Sequence, residues 1–333
     1  MNAVAPPTPA GGRLVVQAAL LMAIGAVPVV AALLLVGSVA AQSVYLGIVV
    51  ATTVVRALHR PQQWIGAVWI AVVAGAGSLI GPAFGPLLVA VVICALAQAV
   101  FLRWDPRALA VAPAILVFDA VTMPAGSAGL VALSTFAGAA FLIGAAALVG
   151  LAAEPRPLSW GRAISHAMLL AAGCAVLLFV GAAFGAERLH WGPLAFCLAF
   201  VPGPGTARSA LRYAIATMAG SAAAVAIGVL APGWLVVGAI VVGALLVVAS
   251  TLAERLATAV AAIAATVILL GTLSPGLASP ALGFERIGSA LLAVGVGLLL
   301  LLIAEPLENL VTCLLARTRL AEPAPEGNTP WIR

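Results

Sequence analysis

Long apolar runs fill most of this chain, and they constrain its fold more than any motif does. They read about 14–36, 39–55, 63–82, 86–102, 108–123, 128–151, 166–185, 190–203, 211–230, 233–251, 256–274 and 286–304. A bilayer core of about 30 Å takes about 20 apolar residues as a helix. In lipid the backbone must satisfy its own hydrogen bonds, which helices do. The expectation is an all-α integral membrane protein with about 12 transmembrane helices. Only 8% of the 333 residues are charged and 64% are hydrophobic, whereas a soluble domain carries about a quarter charged residues. Twelve spans leave no room for a soluble catalytic domain. A secreted disulfide scaffold and a disordered chain are excluded as well. The net charge of +5 is dispersed, so no nucleic acid is expected as a partner.

The scarce charge is sorted. All 15 basic residues are arginine. Alternate connections place Arg13, Arg56, Arg60, Arg103, Arg107, Arg156, Arg162, Arg208, Arg212, Arg255, Arg317, Arg319 and Arg333 on one side, and only Arg188 and Arg286 on the other. The positive-inside rule makes the first side cytoplasmic. An even number of spans with both termini cytoplasmic follows, because one missed span would scramble the pattern. The first run is too long for a signal-peptide core and reads as a span. Trp64, Trp104, Trp160 and Trp191 fall near the expected interfaces, as aromatic belts do. The four cysteines show no close pairing in sequence.

The two halves share a pattern. Ala153-Glu154-Pro155 closes the sixth run and Ala304-Glu305-Pro306 the twelfth, with Ala139, Gly144 and Leu148 matching Ala290, Gly295 and Leu299 in the same register. Leu20-Leu21-x-Ala23 of the first run returns as Leu169-Leu170-x-Ala172 in the seventh. Six spans per unit is an even number, so the units would be parallel repeats related by a pseudo-twofold along the membrane normal. The expected organisation is a cytoplasmic tail over 1–13, a first six-span repeat over 14–152, a linker over 153–165, a second repeat over 166–306 and a cytoplasmic tail over 307–333. In such proteins the substrate path commonly runs between repeats.

The second half carries a set of motifs. His190-Trp191-Gly192-Pro193-Leu194 is followed by a short apolar segment that Pro202-Gly203-Pro204-Gly205 breaks. Then come Thr206-Ala207-Arg208, Arg212-Tyr213, Ala216-Thr217-x-x-Gly220, and a last span opened by Glu285-Arg286. This layout resembles the fusaric acid resistance (FUSC) or aromatic acid exporter superfamily, in a short form lacking the large cytoplasmic domain of many members. The match is clearest over about 188–306. It departs from the family pattern at Ala216, where a glycine is usual, and in the position of Arg212. In the first half, Gln42, Tyr45, Thr52-Thr53, Arg56 and Arg60 stand where the motif's counterpart would be. The resemblance implies an efflux component of the bacterial inner membrane for small, often aromatic, organic acids or drugs. It also implies a HlyD-type periplasmic adaptor as partner.

The residues themselves point to a transport site. Asp119 is the only acidic residue well inside a run. On a continuous helix from Arg107 it would lie about 18 Å in, past the midplane. An acid there faces a cavity or partner, or holds a proton; the alternative is that it reaches water near Pro124. Arg208 and Arg212, with Thr206 and Tyr213, follow the broken run, and Arg56 and Arg60 follow the second. Each arginine pair is spaced by four, so on a helix it faces one way and could form a vestibule for anions. Holding loops inside and binding lipid phosphates are the alternatives. Gln42 and Tyr45 complete the path set. Glu154 and Glu305, expected at helix C-termini, read as salt-bridge partners or a cytoplasmic gate. No nucleophile–base pair, phosphate loop or metal-ligand spacing is present, so neither enzyme, cofactor nor metal is expected.

These readings converge on a secondary transporter exporting small organic anions or amphipathic drugs, proton-coupled. A passive anion channel and a non-transport membrane scaffold are the alternatives. A homo-oligomer is left open.

Overall fold

The computed structural model describes residues 11–124, 126–148, 153, 155–201, 206–252, 255–272 and 279–320, with side chains left aside at 11–22, 251–252, 256, 271–272, 279 and 303–320. Twelve helices are found among them: α1 (Gly11–Leu35), α2 (Ser38–Ala57), α3 (Arg60–Ile80), α4 (Phe84–Trp104), α5 (Ala112–Thr122), α6 (Ala128–Leu148), α7 (Trp160–Ala183), α8 (Trp191–Ala199), α9 (Thr206–Leu230), α10 (Gly233–Leu252), α11 (Leu256–Thr272) and α12 (Ser279–Leu320). No strand occurs among the described residues. Eight of the helices are long and apolar enough to cross a membrane. The protein is an all-helical, multi-pass membrane protein.

Packing follows small residues. α2 lies against α6, and α3 against both α5 and α6. Gly47 of α2 abuts the Thr135 carbonyl of α6, while Gly138 of α6 abuts the Val44 carbonyl of α2. Without lipid-excluding pressure between helices, close backbone approach of this kind supplies the attraction. In the second half α9 lies against α11 and α12, and α10 against α11. The halves meet where α4 packs on α7, α1 on α10, and α5 on α8.

Several expectations change. Arg56 lies in the last turn of α2 and Arg60 begins α3, with extended backbone at Leu58 and His59 between the helices. They therefore do not share a helix face. The His59 N–H donates to Gln62 Oε1 (3.2 Å), and the buried Gln63 amide donates to the Val55 and Leu58 carbonyls. The break is thus capped twice.

α5 does not start at Arg107. Residues 106–111 form turns, with Leu109 left-handed at φ 58°. Buried Asp105 anchors them: it accepts from the Arg107 backbone N–H (2.7 Å), the Arg107 Nε (3.0 Å) and the Arg156 backbone N–H (2.8 Å). The helix has 11 residues, so Asp119 is its eighth and lies near its C-terminal end rather than about 18 Å along a continuous helix.

α12 runs through Glu305 and Pro306 to Leu320, so the helix does not end where the Ala-Glu-Pro match suggests. Proline removes one helical donor and kinks a helix without always stopping it. Trp191 is buried inside the protein, unlike the exposed Trp64 and Trp160. Cys174 and Cys197, far apart in sequence, bring their sulfurs to 3.8 Å across α7 and α8.

Candidate functional site

Among the polar places within the described residues, three bear on function. The first is a cavity of about 280 Å³ between α9 and α11, lined by Ser209, Arg212, Tyr213, Arg255, Ala257, Thr258 and Val260. Two guanidinium-bearing residues of opposite chain segments, α9 and the start of α11, thus meet at one opening. Arg212 and Arg255 are exposed, while Tyr213 is buried at 3% and its hydroxyl has no partner among the described residues. Guanidinium forks at the rim suit a small anion with a carboxylate.

The second is Asp119. It is fully buried, and neither carboxylate oxygen has a hydrogen-bond partner among the described residues. Gly77 of α3 touches the Leu116 carbonyl one turn away, so α3 seals that side. Phe118 beside it meets the His190 ring edge-on at 5.0 Å, where short α5 reaches α8. A carboxylate without a partner in a membrane protein costs at least about 2.5–3.5 kcal/mol when ionised.

The third lies at the opposite end of the second half. Arg188 bonds Glu285 through its backbone N–H (3.0 Å) and its Nη1 (2.5 Å). The Trp191 ring carries the guanidinium carbons of Arg188 at 5.2 Å and of Arg286 at 5.4 Å, a desolvated cation–π arrangement.

The sequence-predicted residues fall as follows. Arg208 and Arg212 share α9 and are exposed; Thr206 is its first residue and is half-buried. Only Arg212 and Tyr213 of that group line the cavity. Gln42 and Tyr45 lie on the exposed face of α2. Arg60 donates to the Ala147 carbonyl at the end of α6 (3.5 Å), and Arg56 is half-buried in the last turn of α2. Glu154 lies outside the described residues, and Glu305 is inside α12. Arg255 and Arg286 escaped notice as site residues. For Arg286, adjacency to Glu285 at the head of an apolar run was the available signal; for Arg255 none existed, because its cavity joins segments 43 residues apart.

Residues 174–300 match the family model of fusaric acid resistance protein-like proteins. That span takes in α8 to α11, the cavity and the Arg188–Glu285–Arg286 group. No curated protein and no solved structure matches the chain.

Proposed function

We propose that this chain, whose second half is fusaric acid resistance-like over 174–300, is an inner-membrane secondary exporter of small organic anions, aromatic acids or amphipathic drugs among them, driven by proton entry. The observation that carries the reading is the cavity at which Arg212 and Arg255 meet, with the buried Tyr213 in its lining. Its two cations concentrate organic anions from the side where the arginines gather. By the positive-inside rule that side is the cytoplasm, so the cavity is the intake mouth, and both termini are cytoplasmic.

Buried, partnerless Asp119 supports coupling over passive flow. A carboxylate held from water exchanges protons only when a passage opens to it, so alternate opening ties its protonation to transport. The parallel-repeat reading draws support from packing partners that recur: α3 with α5 and α6, as α9 with α11 and α12; α4 with α7, as α10 with α1. Glu154 and Glu305 keep their proposed role as salt-bridge or gate residues, and a HlyD-type adaptor is the proposed periplasmic partner.

The test is benzoate flux from proteoliposomes, with and without an imposed pH gradient. A gradient-dependent flux that Asp119→Asn makes indifferent to the gradient is the expected result. Equal flux in both conditions for the unaltered protein would identify a channel, and no flux of any organic anion would overturn the transport reading.

A further inference from the structure

Arg286 is 2% exposed, and its Nε and Nη1 have no partner among the described residues. Its neighbour cannot neutralise it, since Glu285 is bonded twice by Arg188. Trp191 covers a face of the guanidinium without accepting its N–H groups. A cation thus sits inside the protein with donors unspent, an arrangement that is unfavourable unless an anion completes it.

The hydroxyls that could help hold such an anion stand on α9. Tyr213, Thr217 and Ser221 follow a spacing of four and therefore share one helix face. All three are buried, and all three hydroxyls lack partners among the described residues. Gly283, three residues before Arg286 on α12, meets α9 at Val225 and the Ser221 carbonyl. Residues three apart lie on one side of a helix, so Arg286 lies on the α12 side whose Gly283 meets the Ser221–Val225 stretch of α9, one turn beyond Thr217. Tyr213, at the other end of the row, lines the cavity at which Arg212 and Arg255 meet. From Tyr213 to Ser221 the row climbs about 12 Å along the helix.

We infer that Arg286, with Thr217 and Ser221, forms an enclosed binding station for a carboxylate monoanion, and that the hydroxyl face of α9 connects it to the cavity. The inference deepens the exporter reading and rests on it. One guanidinium charge among neutral hydroxyls balances a single negative charge, and the planar fork suits a carboxylate better than a spherical halide. The route runs within the second half, along α9, α11 and α12, rather than between the halves.

Isothermal titration of benzoate into the purified, delipidated protein tests this, once as it stands and once with Arg212→Gln and Arg255→Gln to empty the outer cavity of charge. Binding that survives in the second form is expected to weaken about ten- to hundredfold on adding Arg286→Gln, the effect of losing hydrogen bonds to a charged group. The milder pair Thr217→Val and Ser221→Ala, which leaves the buried cation in place, is expected to weaken it several-fold. Chloride is expected to compete poorly. The inference is overturned if no binding survives in the second form, if the surviving binding ignores both the Arg286 and the hydroxyl changes, or if chloride competes as well as benzoate. Benzoate flux by the unaltered protein, measured alongside, separates the two readings: flux without this binding sinks the station alone, whereas absent flux sinks the exporter.

Discussion

The α3–α5 pair of the first half and the α9–α11 pair of the second are joined alike and furnished differently. In each, a glycine lets a carbonyl of the partner helix against the backbone: Gly77 at Leu116, Gly220 at Ala261. Yet α3 turns Gly66, Ile70, Ala74 and Gly77 inward, and its buried polar residues are engaged, Gln63 with the Val55 and Leu58 carbonyls and Ser78 with Ser127 at 3.0 Å. On α9 the inward row is Tyr213, Thr217 and Ser221, with hydroxyls unengaged. One frame is a wall whose partner helix holds a buried acid, Asp119; the other is a polar face with Arg212 beside one end. Close packing and chemistry are therefore set by different residues of the same helices. In the proposed reading, the first half handles a proton and the second an anion.

The sharpest break in this division of labour is Asp119→Asn. It should remove stimulation of export by a pH gradient altogether while leaving benzoate binding by the second half within about twofold, a change under 0.5 kcal/mol. A loss of binding of the same size as the loss of coupling would show that the halves do not divide the work.

Next in size is the intake cavity. Arg212→Gln together with Arg255→Gln should lower initial export rates about tenfold or more, since charge-assisted hydrogen bonds are worth about 1.5–3 kcal/mol each. Adding Arg208→Gln, which lies outside the cavity, should lower them little further. Rates followed in vesicles at low and high salt would check this, with the deficit shrinking as salt screens the field.

The shared frame predicts equality instead. Gly77→Ala and Gly220→Ala each force a methyl against a backbone carbonyl, so each should destabilise by about 1–3 kcal/mol. Thermal unfolding in detergent reads this directly. A marked difference between them would mean that the two pairs are not built alike. The smallest effect is expected at α2: Gln42→Ala and Tyr45→Phe, on an exposed face, should leave export within about twofold.

Helix number was legible because each helix grows from an apolar run, although only eight of those described are long and apolar enough to cross a membrane, and the short eighth run betrayed itself by Pro202 and its neighbours. The start of α5 was not legible. Its turn depends on Asp105 meeting Arg156, 51 residues away, and no local pattern records that contact. Arg56 and Arg60 misled for a related reason: a spacing of four means a shared face only if no break intervenes, and Leu58 and His59 make one. Asp119, Arg212 and Tyr213 stood out as polar residues in or beside apolar runs, whereas Arg286 looked like a topological marker until its burial was seen.

By itself, then, the sequence determined the class of the protein, since lipid tolerates few charges and the apolar runs and sorted arginines leave a multi-pass helical chain. The tertiary structure alone decided which polar groups go unpaired. A residue type says what a group can bond to, but whether Asp119, Ser221 or Arg286 finds a partner depends on which other helices pack against it. In a bundle held together by small residues, that choice is made by contacts dozens of residues apart.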